Sequence, residues 1–427
     1  MEMGATFEPC SCIFICLINS RPTPLKQLVV TPSFPFSTHT FVTREIASVI
    51  AAGHSMTVLA PTYGDVEGQV LSDRLGVKQD EVIYLDAPSC PVWSPGFRRY
   101  TRPVREVAMR SHYGRLLGER RKTFFAKLLG MPRIREVELI HAHFMGWAFE
   151  VALPLGQLLD VPVTLTAHNF DLPTRRLDEL LYIQQHAARV VLVSQEYHRI
   201  WSERTGSSDS LTVVPNGIDL SEFPTQHVPQ QPENGLKIIS ISRLVPGKRI
   251  ADALYALAKL LDQGIEFKYV SIGEGPERAA LEQLAAQLGL TERVSFRGTM
   301  PHEVVVRELS ASDILLHPSE WESFGITVAE AMAARISVIA ARSPGPSDIV
   351  EHGVTGFLYE PGDVDVLANY LHRLAADPAI RKKFGELGHA RVIEKFSWEA
   401  HMVQMFKVWQ AASAGASEPT QAGRISG

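Results

Sequence analysis

A chain of 427 residues, 45% apolar and 21% charged, has an ordinary globular composition and is long enough for two or three domains. The formal charge of −5 and a pI near 6.3 exclude a global electrostatic case for nucleic-acid binding. Cys10, Cys12, Cys16 and Cys90 are too few, and too crowded at one end, for a disulfide framework, and their spacing fits no zinc pattern.

The N-terminal "CIFICLI" is short and follows no basic segment, so residues 1–26 read as a leader outside the fold rather than a secretory signal. No run approaches the roughly 20 apolar residues of a membrane span. The expected compartment is cytoplasmic, with peripheral contact at the membrane face as a further expectation. From residue 27, short β-branched runs alternate with stretches of helical period. Strands are expected at 27–31, 56–60, 137–140, 161–167, 189–194 and 211–215. A second series is expected at 236–242, 267–273, 293–298, 313–318 and 337–341. They lack strict alternation, as strands buried on both faces should. Strand-helix-strand repetition implies parallel sheets wound by right-handed crossovers.

Eleven strands are too many for one comfortable open sheet. "FPTQHVPQQPENG" (223–235) is polar, rich in proline and glutamine, and reads as a linker. The fold class is therefore α/β, with two doubly wound, Rossmann-like domains facing an interdomain cleft. The first spans 27–220 and the second 221–395. The tail 413–427 is small, polar and expected to be disordered.

Within the first half, "HAHF" puts His141 and His143 on one strand face, a pattern that raises metal binding. No third ligand follows in a known spacing, so both are assigned to packing and cleft lining. "TAHNFD" places His168 just past a strand end. Arginines and lysines crowd 98–127 among aromatic and aliphatic residues. That stretch is either a helix with a solvated basic face or a contact with anionic lipid.

In the second half, three strand ends carry distinctive chemistry. "RLVPGKR" places Arg243 and Lys248 after one strand. "GEGPER" places Gly273 and Gly275 in a tight loop, with Pro276 suited to a first helical position. "HPSEWESFGITVAEAMA" carries Glu322 and Glu330. In one continuous helix those two carboxylates would sit about 12 Å apart along the axis and well round from each other. They share a site only if Glu322 lies in a loop folded over a helix that starts near Gly325. Two cations and a helix N-terminus suit a phosphate, while acids beside them suit hydroxyls. A diphosphate flanked by two sugars, as in a nucleotide-sugar, satisfies both.

"PNGID" (215–219), "SRLVPGKR", "GEGPER", "RGTM" (297–300) and the Glu-x7-Glu segment together closely resemble the retaining glycosyltransferases of GT-B fold, over residues 27 to 412. The resemblance implies that Arg243 and Lys248 hold the donor diphosphate, Glu330 the ribose and Glu322 the transferred sugar. It places the backbone around Phe324 and Gly325 against sugar and phosphate and the base near Arg297 and Gly298; Gly273 joins them as a donor-binding residue. It implies that His168 touches the sugar and that a helix at 396–412 crosses back onto the first domain. Ser37 and Thr38, in a loop resembling a "SETF" subgroup linked to export polysaccharides, either line the acceptor side or, with Thr40, cap the next helix; Thr40 favours the cap. "SPGPSD" (343–348) departs from the family's Gly-Gly-x-x-Glu turn and reads as a plain turn into a helix.

The implied activity is retaining transfer of a sugar from a nucleotide-diphosphate donor to a glycan, lipid-linked or small-molecule acceptor, with no cofactor or metal. A sugar-nucleotide epimerase and a non-catalytic sugar-nucleotide-binding protein are the alternatives. Retention of Glu322, Glu330 and Lys248 disfavours the latter. A dinucleotide oxidoreductase is disfavoured because the first strand leads to "TPSFPFSTHT" and not to G-x-G-x-x-G.

Overall fold

A computed structural model describes residues 24–35, 39–84, 119–168, 172, 175–224 and 235–415. The four cysteines, Ser37, Thr38 and most of the basic 98–127 stretch lie outside these residues, as does nearly all of the expected leader.

The chain divides into two compact units. One comprises the residues up to Val193, then His198–Val214, and the chain from Met402 on; the other comprises Ser194–Tyr197 and Pro215–His401. The division at Val214/Pro215 precedes the 220/221 boundary inferred from linker composition. Composition marks where the chain is polar, whereas a unit boundary is set by where contacts stop crossing.

The first unit is built on a seven-stranded sheet. Its strands are β1 (Lys26–Val30), β3 (Ser55–Ala60), β5 (Val82–Tyr84), β6 (Leu139–His143), β7 (Val163–Ala167), β8 (Arg189–Leu192) and β9 (Leu211–Val213). The order is β5-β3-β1-β6-β7-β8-β9, and every pairing is parallel. A two-stranded pair, β2 (Ser33–Phe34) with β4 (Thr62–Tyr63), lies apart from it. All residues of β6 and β7 are buried, including the polar His141, His143, Thr164 and Thr166.

The second unit holds six strands: β10 (Leu236–Ile241), β11 (Phe267–Ile272), β12 (Val294–Phe296), β13 (Ile314–His317), β14 (Ser337–Ala341) and β15 (Phe357–Tyr359). Their order is β12-β11-β10-β13-β14-β15, again wholly parallel. One core layer fills the space under the helix Ile250–Asp262, whose Leu254, Leu257 and Leu260 meet Ile238, Tyr269 and Ile314 of the sheet. The i, i+3, i+6 spacing of those leucines puts them on one stripe.

Three local expectations are corrected. Thr40 is the first residue of the helix Thr40–Ala51 and not its cap; His39 holds the cap position without a side-chain hydrogen bond. Pro276 lies in the turn before the helix Arg278–Gln287, so it helps end the loop but does not open the helix. The helix Trp398–Gly415 runs through 413–415, which were expected to be disordered. Its apolar periodicity carries it past the point where small residues begin.

That last helix contributes from Met402 onward to the first unit. Trp409, fully buried, lies edge-on to His141 at 5.6 Å and to Phe406 at 5.2 Å. Trp409→Ala should destabilise the first unit by about 3–5 kcal/mol, the usual cost of emptying so large a buried volume. Chemical denaturation followed by a probe in that unit measures it.

Candidate functional site

In the second unit the strand order reverses between β10 and β13. Connections leaving the carboxyl ends of these two strands diverge to opposite sides, which opens a crevice at that point. Arg243 and Lys248 follow β10, while the stretch from His317 to Glu322 ends and follows β13. Both loops are clamped together. The Glu320 amide donates to the Gly247 carbonyl at 3.1 Å, and Arg249 pairs with Glu320 at 3.2 Å and Asp252 at 2.7 Å.

The clamp brings the Lys248 ammonium into a direct ion pair with Glu322; the two side chains are only 18% and 23% exposed. His317 Nε2 lies 3.7 Å from the same carboxylate, close enough for charge but too long for a hydrogen bond. Burial pushes the Glu322 carboxyl up, but His317 and Lys248 outweigh it and hold it at about 2.

The two glutamates of the Glu-x7-Glu segment are separated as its spacing demanded. The helix spans Ile326–Ala333, so Glu330 is helical and Glu322 belongs to the loop before it. Gly325 caps that helix at φ +92°, where an L side chain is strained, and the helix opens on amides that lack intrahelical partners. Glu330, 12% exposed, lies 4.0 Å from His302 Nε2, which hydrogen-bonds Glu222 at 3.1 Å. Each acid thus has its own cationic or imidazole neighbour. Neither His317 nor His302 was singled out from sequence; the signal available for His317 was a histidine ending a fully apolar strand.

The glycine loop after β11 runs against the loop bearing Arg243. A Cβ on Gly273 would stand 1.9 Å from the Ser242 carbonyl oxygen, and its φ of +133° favours glycine. The Gly273 amide donates to the Gly298 carbonyl at 2.9 Å, and the Arg297 amide to Ser271 at 2.9 Å. The Arg297 guanidinium turns to Ser295 Oγ at 3.0 Å. Arg243 is exposed, and among the described residues its guanidinium forms no ion pair. Phe324 is buried, edge-on to Phe396 at 5.9 Å, so its ring packs in the interior. "SPGPSD" forms a short helix, Pro344–Ile349, whose Gly345 amide bonds the Glu322 carbonyl at 2.9 Å. Asp348 accepts from the Gln195 amide, and burial raises its carboxyl.

In the first unit, β6 and β7 lie side by side with His141 opposite Thr164 and His143 opposite Thr166. His141 bonds Thr164 Oγ1 at 2.8 Å and Thr166 Oγ1 at 3.1 Å. His143 bonds Glu45 Oε1 through Nε2 and His168 Nε2 through Nδ1, each at 3.1 Å. Glu45, His141 and His143, all buried, bring one donor atom each within 4.8 Å of one another. A third ligand-type group therefore does exist, supplied by a distant helix. Yet both ring nitrogens of each histidine already hold hydrogen bonds, so the cluster is a hydrogen-bonded network. His168 lies among Phe41 and Phe144, at ring separations of 4.5 Å and 5.0 Å. Burial, then the neighbouring His143, pushes His168 well below the ordinary histidine value. The same two causes bring His39 down to about 4. The sequence signal for Glu45 was legible: with Val42, Ile46 and Val49 it falls on the buried stripe of its helix, an unusual place for a carboxylate.

The Glu322 carboxyl has a folded value below its ordinary one. Its ionised form therefore adds stability fully above about pH 4.5, and that contribution fades as pH falls toward 2. Glu322→Gln should cost roughly 3 kcal/mol at pH 7, with the gap to wild type narrowing below about pH 4.5. Urea titrations at pH 7, 5 and 4 test this.

Residues 39–222 match the family described as Glycosyltransferase Family 4, and residues 223–391 match Glycosyl transferases group 1. The N-acetyl-alpha-D-glucosaminyl L-malate synthase of Bacillus anthracis is 35% identical over 289 residues, covering 64% of this chain and 74% of that one. The 2-deoxystreptamine glucosyltransferase of Streptomyces kanamyceticus is 28% identical over 299 residues, covering 64% and 77%. Among solved structures, Anabaena HepE in complex with UDP and glucose matches with a TM-score of 0.68 at 19% identity, over 90% of this chain and 100% of that one. The two parallel sheets, the two family matches and these relatives lead to one conclusion: the chain belongs to the group 1 glycosyltransferases of GT-B fold.

Proposed function

We propose that this glycosyltransferase is a retaining enzyme whose donor, a nucleoside-diphosphate sugar, binds at the β10/β13 crevice of the second unit. The observation that carries the reading is the Lys248–Glu322 ion pair at that crevice, beside the helix beginning at Ile326. With donor bound, Arg243, Lys248 and the amides after Gly325 face the diphosphate. Glu330 accepts from the ribose hydroxyls, and Glu322 orients the transferred sugar. The base lies by the Gly273 and Arg297–Gly298 loops. Uracil is the first base to test, since HepE was crystallised with UDP and with UDP-glucose.

Transfer requires the bond between the anomeric carbon and the phosphate oxygen to break, with its electron pair leaving on the diphosphate. Two cations and a helix N-terminus stabilise that growing charge, and this reading assigns no metal to the step. The acceptor hydroxyl attacks on the same face, and its proton passes to the departing phosphate oxygen. Glu322 is an orienting and electrostatic group here, since same-face attack needs no carboxylate nucleophile. His168 contacts the transferred sugar, and Ser37 and Thr38 serve the acceptor side. The acceptor is a glycan, a lipid-linked molecule or a small molecule, with polysaccharide or glycoconjugate synthesis as the setting. Among the described residues no helix is long and apolar enough to cross a membrane. For a lipid-linked acceptor, the basic and aromatic residues of 98–127 are the proposed peripheral contact.

A thermal-shift panel of UDP-, GDP- and ADP-sugars should show one base that raises the unfolding midpoint, since a ligand at 100 times its Kd adds about 2.7 kcal/mol. Arg243→Ala and Lys248→Ala should each reduce turnover on that donor by about 100- to 1000-fold. Normal turnover and donor affinity in both would remove diphosphate binding from the account. Mass spectrometric capture of a glycosyl-Glu322 adduct would replace same-face attack with a covalent route.

A further inference from the structure

The Glu45–His143–His168 chain is a directional one. A carboxylate only accepts, so the His143 nitrogen facing Glu45 at 3.1 Å, Nε2, carries the hydrogen. In a neutral imidazole the other nitrogen is then an acceptor. His143 Nδ1 therefore receives, and its partner at 3.1 Å, His168 Nε2, must donate. Glu45 and His143 are 3% and 1% exposed, so bulk water does not compete for these bonds. The secondary structure holds the order rigidly. Glu45 sits inside the helix Thr40–Ala51, His143 ends β6, and His168 directly follows β7, which is paired with β6 in register.

We propose that Glu45 is a positioning residue: acting through His143, it fixes His168 in the tautomer with its hydrogen on Nε2, leaving Nδ1 as an acceptor for a substrate hydroxyl. This rests on the reading above that His168 meets the transferred sugar. Such a ring accepts a hydroxyl hydrogen but donates none from Nδ1, which distinguishes a hydroxyl from a bare oxyanion. The ionisable groups acting on His168 are His143, Glu45, His141 and His39. Three of the four are imidazoles, and Glu45 is the one carboxylate among them.

The test is the tautomer itself, read from imidazole nitrogen shifts in protein labelled with nitrogen-15 histidine, with His168→Gln used to assign the signal. Wild type should show His168 protonated on Nε2. Glu45→Met, similar in size but unable to accept, should lose that preference and lower kcat about 10- to 100-fold, as loss of an orienting partner typically does. Glu45→Gln keeps an acceptor oxygen and should restore much of both. Nucleoside diphosphate affinity, probed by UDP thermal shift, should be unchanged in either variant. A His168 hydrogen on Nδ1 in wild type overturns the proposal even if both variants fold poorly. So does a Glu45→Met protein with unaltered His168 shifts and kcat. Failure of every nucleotide to bind, with the wild-type tautomer as expected, would instead count against donor binding in the second unit and leave the positioning chain standing.

Discussion

One contact organises the second unit's site: the ion pair between Lys248 after β10 and Glu322 after β13. It exists because the sheet reverses its winding between those two strands, so their outgoing loops part and then meet over the gap. The Arg249–Glu320 bridge and the Glu320–Gly247 backbone bond bring the loops together. A partly buried ammonium needs an anion when no ligand is there. The carboxylate that supplies it is thereby kept ionised, and on the proposed reading the lysine is held ready for a diphosphate. Donor binding would then be an exchange of one anion for another rather than the filling of an electrostatic vacuum.

The two acids of the Glu-x7-Glu segment are chemically distinct despite their closeness in sequence. Glu322 lies in a loop beside a lysine and a buried histidine, while Glu330 sits in a helix near His302. Their surroundings differ accordingly: Glu322 is held ionised beside a lysine, while Glu330 lies 4.0 Å from an imidazole. Gly325 makes the separation feasible, because the chain must take a left-handed turn there before the helix begins. In the first unit the same economy of neighbours recurs with imidazoles, where one buried carboxylate imposes a sense on a run of histidines.

Much of this was readable in the order of residues. The eleven apolar runs expected as strands all became strands, because β-branched segments buried on both faces have few alternatives. β5 and β15, three residues each, were not among the expected strands. The Thr40 cap failed because a capping side chain needs its oxygen aimed at the second or third helical amide, and spacing alone does not show where the helix starts. The metal reading of His141 and His143 lacked a third group only along the chain; Glu45, far away in sequence, occupies that place in space.

Sequence alone determined the fold class, the two-sheet organisation and the strand ends where the chemistry gathers, since these follow from local periodicity and from the order of motifs. Tertiary structure alone decided which groups touch. The pairing of Lys248 with Glu322, the nearness of His302 to Glu330 and the Glu45–His143–His168 chain each join residues from separate elements. Such contacts depend on strand order and register, which parallel crossovers set over long stretches of chain and which no short window of residues records.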